Sequence, residues 1–115
     1  MDVIRTAYLK ELAAFRVARA EGNYASAWRA LERGHILSQR RLSLHLHSHG
    51  VMLRYALARD EWGEAVGQVI RLVLAPIGTI TGRVPLGNTG RSNVSAFEPI
   101  AVPHDIAIIL DTEGK

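Results

Sequence analysis

Apolar and small residues recur at spacings of three and four along the first twenty residues of the chain. They are Ile4, Ala7, Tyr8, Leu12, Phe15 and Ala18. This spacing predicts an amphipathic helix over residues 2–21, because 3.6 residues per turn bring such positions onto one face. Gly22 and Asn23 follow, and this pair of residues is typical of a helix end.

The same period predicts three further helices, at about residues 24–39, 44–59 and 61–75. Ser43 and Asp60 stand where the third and fourth helices need an N-cap, and both residue types favour that position. Pro76 is expected to end the fourth helix, because proline lacks the amide hydrogen that a helix interior uses. The short connections make consecutive helices antiparallel.

A faint internal repeat supports helical hairpins. The stretches GNYASAWRAL, from Gly22, and DEWGEAVGQV, from Asp60, align with an offset of 38 residues and match Tyr24 with Trp62. Both resemble the middle of a tetratricopeptide unit, in which a turn, an aromatic residue and a small residue hold two helices together. Two hairpins are few for a peptide-binding array of such units.

The composition changes after the fourth predicted helix. Residues 76–103 are rich in glycine, proline and asparagine, but six apolar residues favour wrapping on the core over disorder. These are Val84, Leu86, Val94, Phe97, Ile100 and Val102. Pro103 opens a short tail helix that docks through Ile106 and Leu110. We therefore predict one all-α domain over 1–115, in which a bundle of about four helices (1–75) precedes a wrapping segment and tail helix (76–115).

Composition restricts the chemistry and the partners. The chain has no cysteine, which excludes disulfides, thiolate ligands and cysteine nucleophiles, so a metal site must use nitrogen and oxygen. The net charge of +3 comes from scattered arginines, whereas nucleic-acid binding needs positive charge gathered on one face. No apolar run is long enough for a signal peptide or a membrane span, which makes the cytoplasm the expected location.

Four of the five histidines lie between residues 35 and 49. If the second turn centres near residue 42, His35 and His49 lie at the same height in antiparallel helices, because each residue rises about 1.5 Å in either direction. His45 shares the face of His49 at a spacing of four. The first turn brings Glu11 to the height of His35. Four side chains that can bind metal thus share one layer of the bundle.

Buried imidazole and carboxylate groups need a partner. The functional interpretation is one divalent transition metal, Zn, Cu, Ni or Fe, bound by Glu11, His35, His45 and His49. Glu32 is an additional candidate ligand, because Glu-x-x-His also occurs in di-iron bundles. A second such motif is missing, and the fourth helix presents only Leu72 opposite His49, so one metal is preferred to two. The alternative is a hydrogen-bonded layer that fixes the helix register.

The remaining histidines and the glycine-rich stretch are weaker candidates. We expect His47 and His104 to lie outside this layer, at the surface. In GRVPLGNTGRSNVSAF, an anion could meet Arg83, Asn88, Arg91 and Asn93. The other interpretation, that the glycines serve positive φ angles and the arginines bind backbone carbonyls, is favoured because no phosphate loop is completed.

Three stretches, LERGHILSQ, HLHSHGVML and GRVPLGNTGRSNVSAF, resemble the bacterial family numbered 3703 among the domains of unknown function. The resemblance covers residues 10–105 and implies a helical bacterial protein without an established activity. Gly34 replaces the alanine that the resemblance implies, which loosens the helix beside His35 without removing that ligand.

We therefore expect a small cytoplasmic bacterial protein that binds a divalent metal for handling or resistance, with catalysis only if a coordination position is open to water. One alternative is a tetratricopeptide-like adaptor that holds a protein partner between its hairpins, its histidines being structural. A second is an anion- or nucleotide-binding domain built on the Gly/Asn/Arg segment. Membrane and nucleic-acid partners are not expected, and the apolar residues left over leave a homodimer open.

Overall fold

The protein forms two helical hairpins and a tail helix. The structure, a computed structural model, describes residues 2–81, 90–91 and 100–113, without the side chains of 78–80 and 113. Within these ranges the helices are α1 (Val3–Ala20), α2 (Tyr24–Ser38), α3 (Leu42–Ala58), α4 (Trp62–Thr81) and α5 (His104–Glu113). α1 pairs with α2, α3 pairs with α4, and α2 packs on α3 to join the hairpins. The predicted all-α bundle is confirmed, and the described ranges contain no strand.

The turns inside the two hairpins are built alike. In each turn a residue with a left-handed backbone follows the first helix, Gly22 with φ 71° and Asp60 with φ 56°. The N–H of the next residue donates to the carbonyl five residues back, at 2.9 Å for Asn23 and 2.8 Å for Glu61. This is the Schellman arrangement. The repeat with an offset of 38 therefore reflects a repeated turn geometry.

Two predicted caps and one predicted helix end are wrong. Ser43 lies inside α3, because the extended backbone at Arg41 begins the helix two residues earlier. Asp60 ends α3 instead of capping α4, because its positive φ does not suit an N-cap residue. α4 continues through Pro76 to Thr81. A proline inside a helix costs about 3 kcal/mol. The packing of α4 along the bundle can offset this cost.

The apolar core lies between the hairpins and beneath α5. Phe15 and Trp28 both meet the Tyr55 ring edge to face, with centroids 5.0 and 5.1 Å from it. Such pairs contribute about 0.5–1.5 kcal/mol beyond the area they bury. α5 packs on α1 and α2 through the buried side chains of Ile106 and Leu110. The predicted docking of the tail is confirmed.

Candidate metal centre

Three histidines converge inside the bundle. His35 lies on α2, His45 and His49 lie on α3, and all three are buried. The Nε2 atom of His35 is 3.1 Å from that of His45 and 3.2 Å from that of His49, and the last two are 3.1 Å apart. We call these atoms the histidine triangle. The tight α2–α3 turn sets the height of His35 opposite His49, and the spacing of four adds His45.

Hydrogen bonds alone cannot satisfy the histidine triangle. Each Nε2 atom is either an N–H donor or a lone-pair acceptor. Of three such atoms at least two are alike, so one of the three contacts always opposes two donors or two lone pairs. In a buried site such a mismatch costs free energy. A cation that accepts three lone pairs removes it.

The edges of the triangle suit a metal ion. In tetrahedral zinc sites with metal–nitrogen distances of about 2.0–2.1 Å, two nitrogen ligands lie about 3.3 Å apart. The edges of 3.1–3.2 Å are slightly shorter than this separation. An ion at bonding distance from all three atoms would therefore lie to one side of their plane.

Gln68 of α4 fixes the tautomer of one histidine. Its amide nitrogen donates to the Gly90 carbonyl at 2.7 Å and to the Glu64 carboxylate at 2.8 Å. Because the carbonyl can only accept, the amide oxygen must be the atom 2.7 Å from Nδ1 of His49. Nδ1 therefore carries the proton, and the Nε2 lone pair points into the triangle. Metal-binding histidines are oriented in this way by a second hydrogen bond.

The other α3 histidine lacks such a support. Nδ1 of His45 is buried and has no hydrogen-bond partner within the part of the chain that the structure describes. The fold thus fixes the protonated nitrogen of His49 and leaves that of His45 unset. Such a ring can turn its Nε2 lone pair to an ion without breaking a bond at Nδ1.

Burial keeps the α3 histidines neutral. Desolvation, together with a smaller effect of the neighbouring His49, lowers the pKa of His45 to about 4. Desolvation also lowers the pKa of His49 to about 4, although the hydrogen bond to Gln68 acts in the opposite direction. At neutral pH both rings are therefore neutral, with one proton each, which is the form that binds a metal.

Gly90 closes the site against the His35 ring. A Cβ atom at this position would lie 2.6 Å from Cδ2 and 2.7 Å from Cγ of His35. The φ angle of 81° is also one that other residues rarely adopt. Both the space and the backbone therefore require glycine. This residue of the predicted wrapping segment touches the candidate centre, while residues 82–89 and 92–99 of that segment lie outside the described residues.

Glu11, the predicted carboxylate ligand, lies outside the triangle. Its Oε1 accepts a hydrogen bond from Nε of Arg33 at 2.9 Å. Arg33 also forms an ion pair with Asp105 of α5. Among the described residues, the group whose ligand atoms converge consists of the three histidines.

Counting residues from the turn predicted the height of Glu11 along the bundle, but it did not predict the direction in which the Glu11 side chain points. A Cβ atom added to Gly34 would meet the Tyr8 ring at 3.3 Å and Cβ of Glu11 at 3.8 Å. Glu11 therefore flanks Gly34, while the next residue, His35, points about 100° further round α2, toward α3. Gly34, which we expected to loosen the helix, allows close contact between α1 and α2.

Glu32, the additional candidate ligand, faces Arg91. Arg91 donates from Nε to Glu64 at 2.5 Å and from Nη1 to Glu32 at 3.3 Å, and its guanidinium carbon lies 3.8 Å from the centre of the Trp28 ring. Burial raises the pKa of Glu32, and the Arg91 charge opposes this shift. Arg91 thus contacts both α2, through Glu32 and Trp28, and α4, through Glu64, beside the triangle.

Of the residues proposed to bind an anion, only Arg91 is described, and its contacts include two carboxylates and the Trp28 ring. Arg83, Asn88 and Asn93 lie outside the described residues. His47 and His104 are exposed and lie outside the triangle, as expected. Nδ1 of His47 is 2.8 Å from the Tyr8 hydroxyl.

Sequence reasoning missed three residues around the site: Gln68, Glu64 and Gly90. Leu72 was the residue expected opposite His49, but the Gln68 side chain reaches it from one turn earlier. A signal for this was present, because Glu64, Gln68 and Arg71 form the polar stripe of an otherwise apolar helix. No pattern in the neighbouring sequence predicts that Gly90 contacts His35, because the two residues are 55 positions apart in the chain.

With this geometry established, comparison with known proteins identifies the family. The model of the family DUF3703, described as a protein of unknown function, matches residues 2–110. The chain belongs to this family. Neither the search of curated proteins nor that of solved structures found a match. In the described part of the DUF3703 chain, no helix has both the length and the hydrophobicity of a membrane span.

Proposed function

We propose that this DUF3703 protein binds one divalent transition metal ion through the Nε2 atoms of His35, His45 and His49, and that it serves in metal handling or resistance. The observation that carries the proposal is the histidine triangle, whose three Nε2 contacts cannot all be hydrogen bonds between the rings. Imidazole ligands suit Zn, Cu, Ni and Fe. Glu11 and Glu32 would first have to leave their arginine partners, so the proposal depends on three histidines.

The surroundings of the triangle favour binding over catalysis. All three rings are buried, and Gly90 packs against one of them, which favours slow release of an ion. Catalysis would need a coordination position that substrate or water can reach. The cytoplasmic location remains a prediction from the sequence.

The experiment is a metal titration of untagged, metal-depleted protein with Zn, Cu, Ni and Fe, read by elemental analysis after dialysis. We expect about one ion per chain and a higher melting temperature, because a ligand that binds only the folded state stabilises it. The His35→Ala and His49→Ala variants should lose the ion. The matched controls are His47→Ala and His104→Ala, which remove exposed histidines and should retain it.

Equal metal content in all four variants would show that binding is adventitious. A wild-type protein that takes up none of the four metals and keeps its melting temperature would exclude the proposal. The histidine layer would then be a structural element only.

A second candidate function is capture of an acidic peptide between the hairpins, as in a tetratricopeptide-like adaptor. A cleft of about 640 Å³ lies between α1 and α3, with Phe15, Val51 and Tyr55 among its apolar residues. Its rim carries four arginines, Arg16, Arg19, Arg54 and Arg59. Within the described ranges only Arg59 forms an ion pair, with Glu61. Charge complementarity therefore favours a partner segment that is acidic and partly apolar.

This candidate is tested with a fluorescein-labelled peptide of alternating Glu and Leu, by anisotropy. Binding should weaken in Arg16→Gln/Arg54→Gln and persist in Arg29→Gln, which removes an exposed arginine of α2 outside the cleft. Equal binding by both variants, or no binding at low salt, would remove the adaptor function. Neither outcome depends on metal.

A further inference from the structure

The outer face of α4 is apolar along most of its length. Six large apolar side chains on this helix are between 50 and 66% exposed. We call them the α4 stripe: Trp62, Val66, Val69, Ile70, Val73 and Ile77. Their spacings of three and four place them on one side of the helix. Such a stripe normally faces a protein core.

The charged residues of α4 are arranged in the opposite way. The helix contains two of them, Glu64 and Arg71, and both are buried against the bundle. A helix at the surface usually turns charged residues to solvent and apolar ones inward. In α4 the polar side chains point into the protein interior, where Glu64 accepts hydrogen bonds from Gln68 and Arg91. The outer face is thus composed as if another protein surface covered it.

The size of the stripe agrees with a protein interface. Six half-exposed side chains of this kind present on the order of 600 Å² of apolar surface, the upper end of what a monomer leaves open. A standard interface buries about 800 Å² on each partner. The stripe alone supplies most of that area. It is therefore large enough to hold two folded chains together.

The spacing and the charge indicate the occupant. Trp62, Val66, Val69 and Val73 follow the four–three–four order that lines the seam between two paired helices. A two-fold axis brings the same surface of each copy together, and a face without charge generates no repulsion when it meets itself. A helix that lies on a membrane surface carries lysine or arginine beside its apolar face. The only arginine of α4 is buried.

We propose that two copies of the chain form a two-fold dimer through the α4 stripe. The proposal is independent of metal binding, because the stripe and the triangle lie on opposite sides of α4. The dimer would hold in place the helix that supplies Gln68 to the candidate metal centre.

The test is the molar mass in solution, measured by sedimentation equilibrium and by light scattering at micromolar concentration. The wild-type protein should have twice the chain mass of 12.7 kDa, and Val66→Glu/Val73→Glu should have the mass of one chain. Val17→Glu is the matched control, because Val17 on α1 is as exposed as Val66, at 60%. That variant should remain dimeric. Circular dichroism establishes that each variant keeps its helices.

A wild-type protein that is monomeric at these concentrations overturns the proposal, as does a Val66→Glu/Val73→Glu variant that stays dimeric. If the double variant loses its helices, Val69→Lys replaces it with the same expectation. Binding of monomeric protein to vesicles of phosphatidylcholine and phosphatidylglycerol would assign the stripe to a membrane surface instead and would equally overturn the dimer.

Discussion

Gln68 connects more parts of the candidate centre than any other single residue described above. It orients His49, holds the Gly90 carbonyl and receives support from Glu64. All four groups are buried, so each bond replaces one to water that the interior cannot supply. At the scale of single residues, the chemistry of the triangle therefore depends on an amide that binds no metal itself.

Replacement of Gln68 by leucine should lower metal affinity about 10–100-fold, the usual effect of losing the hydrogen-bond partner that orients a metal-binding histidine. The stoichiometry should stay at one ion per chain, because the three histidines remain. Competition with a chelator of known affinity measures the change. An unchanged affinity would show that the bond to His49 Nδ1 has no role in binding.

Gly90→Ala should destabilise the protein by about 1–3 kcal/mol, the usual cost of forcing a methyl group into a packed site. The added Cβ atom would overlap the His35 ring and would also occupy a positive φ angle. The matched control is Gly50→Ala in α3, where a Cβ atom meets nothing within 4 Å. That variant should gain about 0.5–1 kcal/mol. Urea unfolding of the metal-free protein measures both, and equal effects would contradict the close contact.

Acid should destabilise the metal-free protein through His45 and His49. Both have a folded-state pKa of about 4, below the ordinary value of 6.5. Between these values the unfolded chain binds more protons than the folded one, so the free energy of unfolding falls as the pH falls from about 6.5 to 4. Urea unfolding across this range measures the slope. His49→Gln should reduce the slope, and an unchanged slope in this variant would contradict the assignment.

At the scale of elements, hydrophobic spacing predicted the four main helices to within two residues at most ends, because each buries one face against the bundle. The left-handed backbone of Asp60 and the continuation of α4 through Pro76 were not predicted. Residue preferences favour an N-cap at Asp60 and a helix end before Pro76. The packing of whole helices determines the backbone at both positions instead. Glu11 shows the same limit for the site: helix height follows from counting residues, whereas side-chain direction depends on how two helices approach each other at Gly34.

α5 offers a test of how the tail is held. Ile106 is fully buried, and Ile106→Ala should cost about 2–5 kcal/mol because it leaves a cavity under the helix. The exposed ion pair of Asp105 with Arg33 should matter less, and Asp105→Asn should cost about 1 kcal/mol or less. Chemical denaturation compares the two variants. A larger loss in Asp105→Asn would show that charge, and not burial, docks the tail.

At the scale of the whole molecule, two hairpins create the site, and Gly90 and Arg91 complete it. The short α2–α3 turn brings His35 opposite His49, a relation that the sequence reveals because it depends only on distance from a turn. Gly90 and Arg91 arrive from a segment without helical period, and their contacts with His35 and Glu64 depend on the path of the chain. The convergence of the three histidines was thus predictable from the sequence, whereas the residues that orient and cover them were not.

The central claim is that one ion joins His35, His45 and His49, and a crystal structure of the zinc-loaded protein tests it most directly. The account predicts one zinc ion about 2.0–2.1 Å from the Nε2 atoms of all three histidines, with Nδ1 of His49 still bonded to the Gln68 oxygen. Zinc bound only at exposed groups such as His47 or His104, with the three buried rings still in contact with one another, would contradict it.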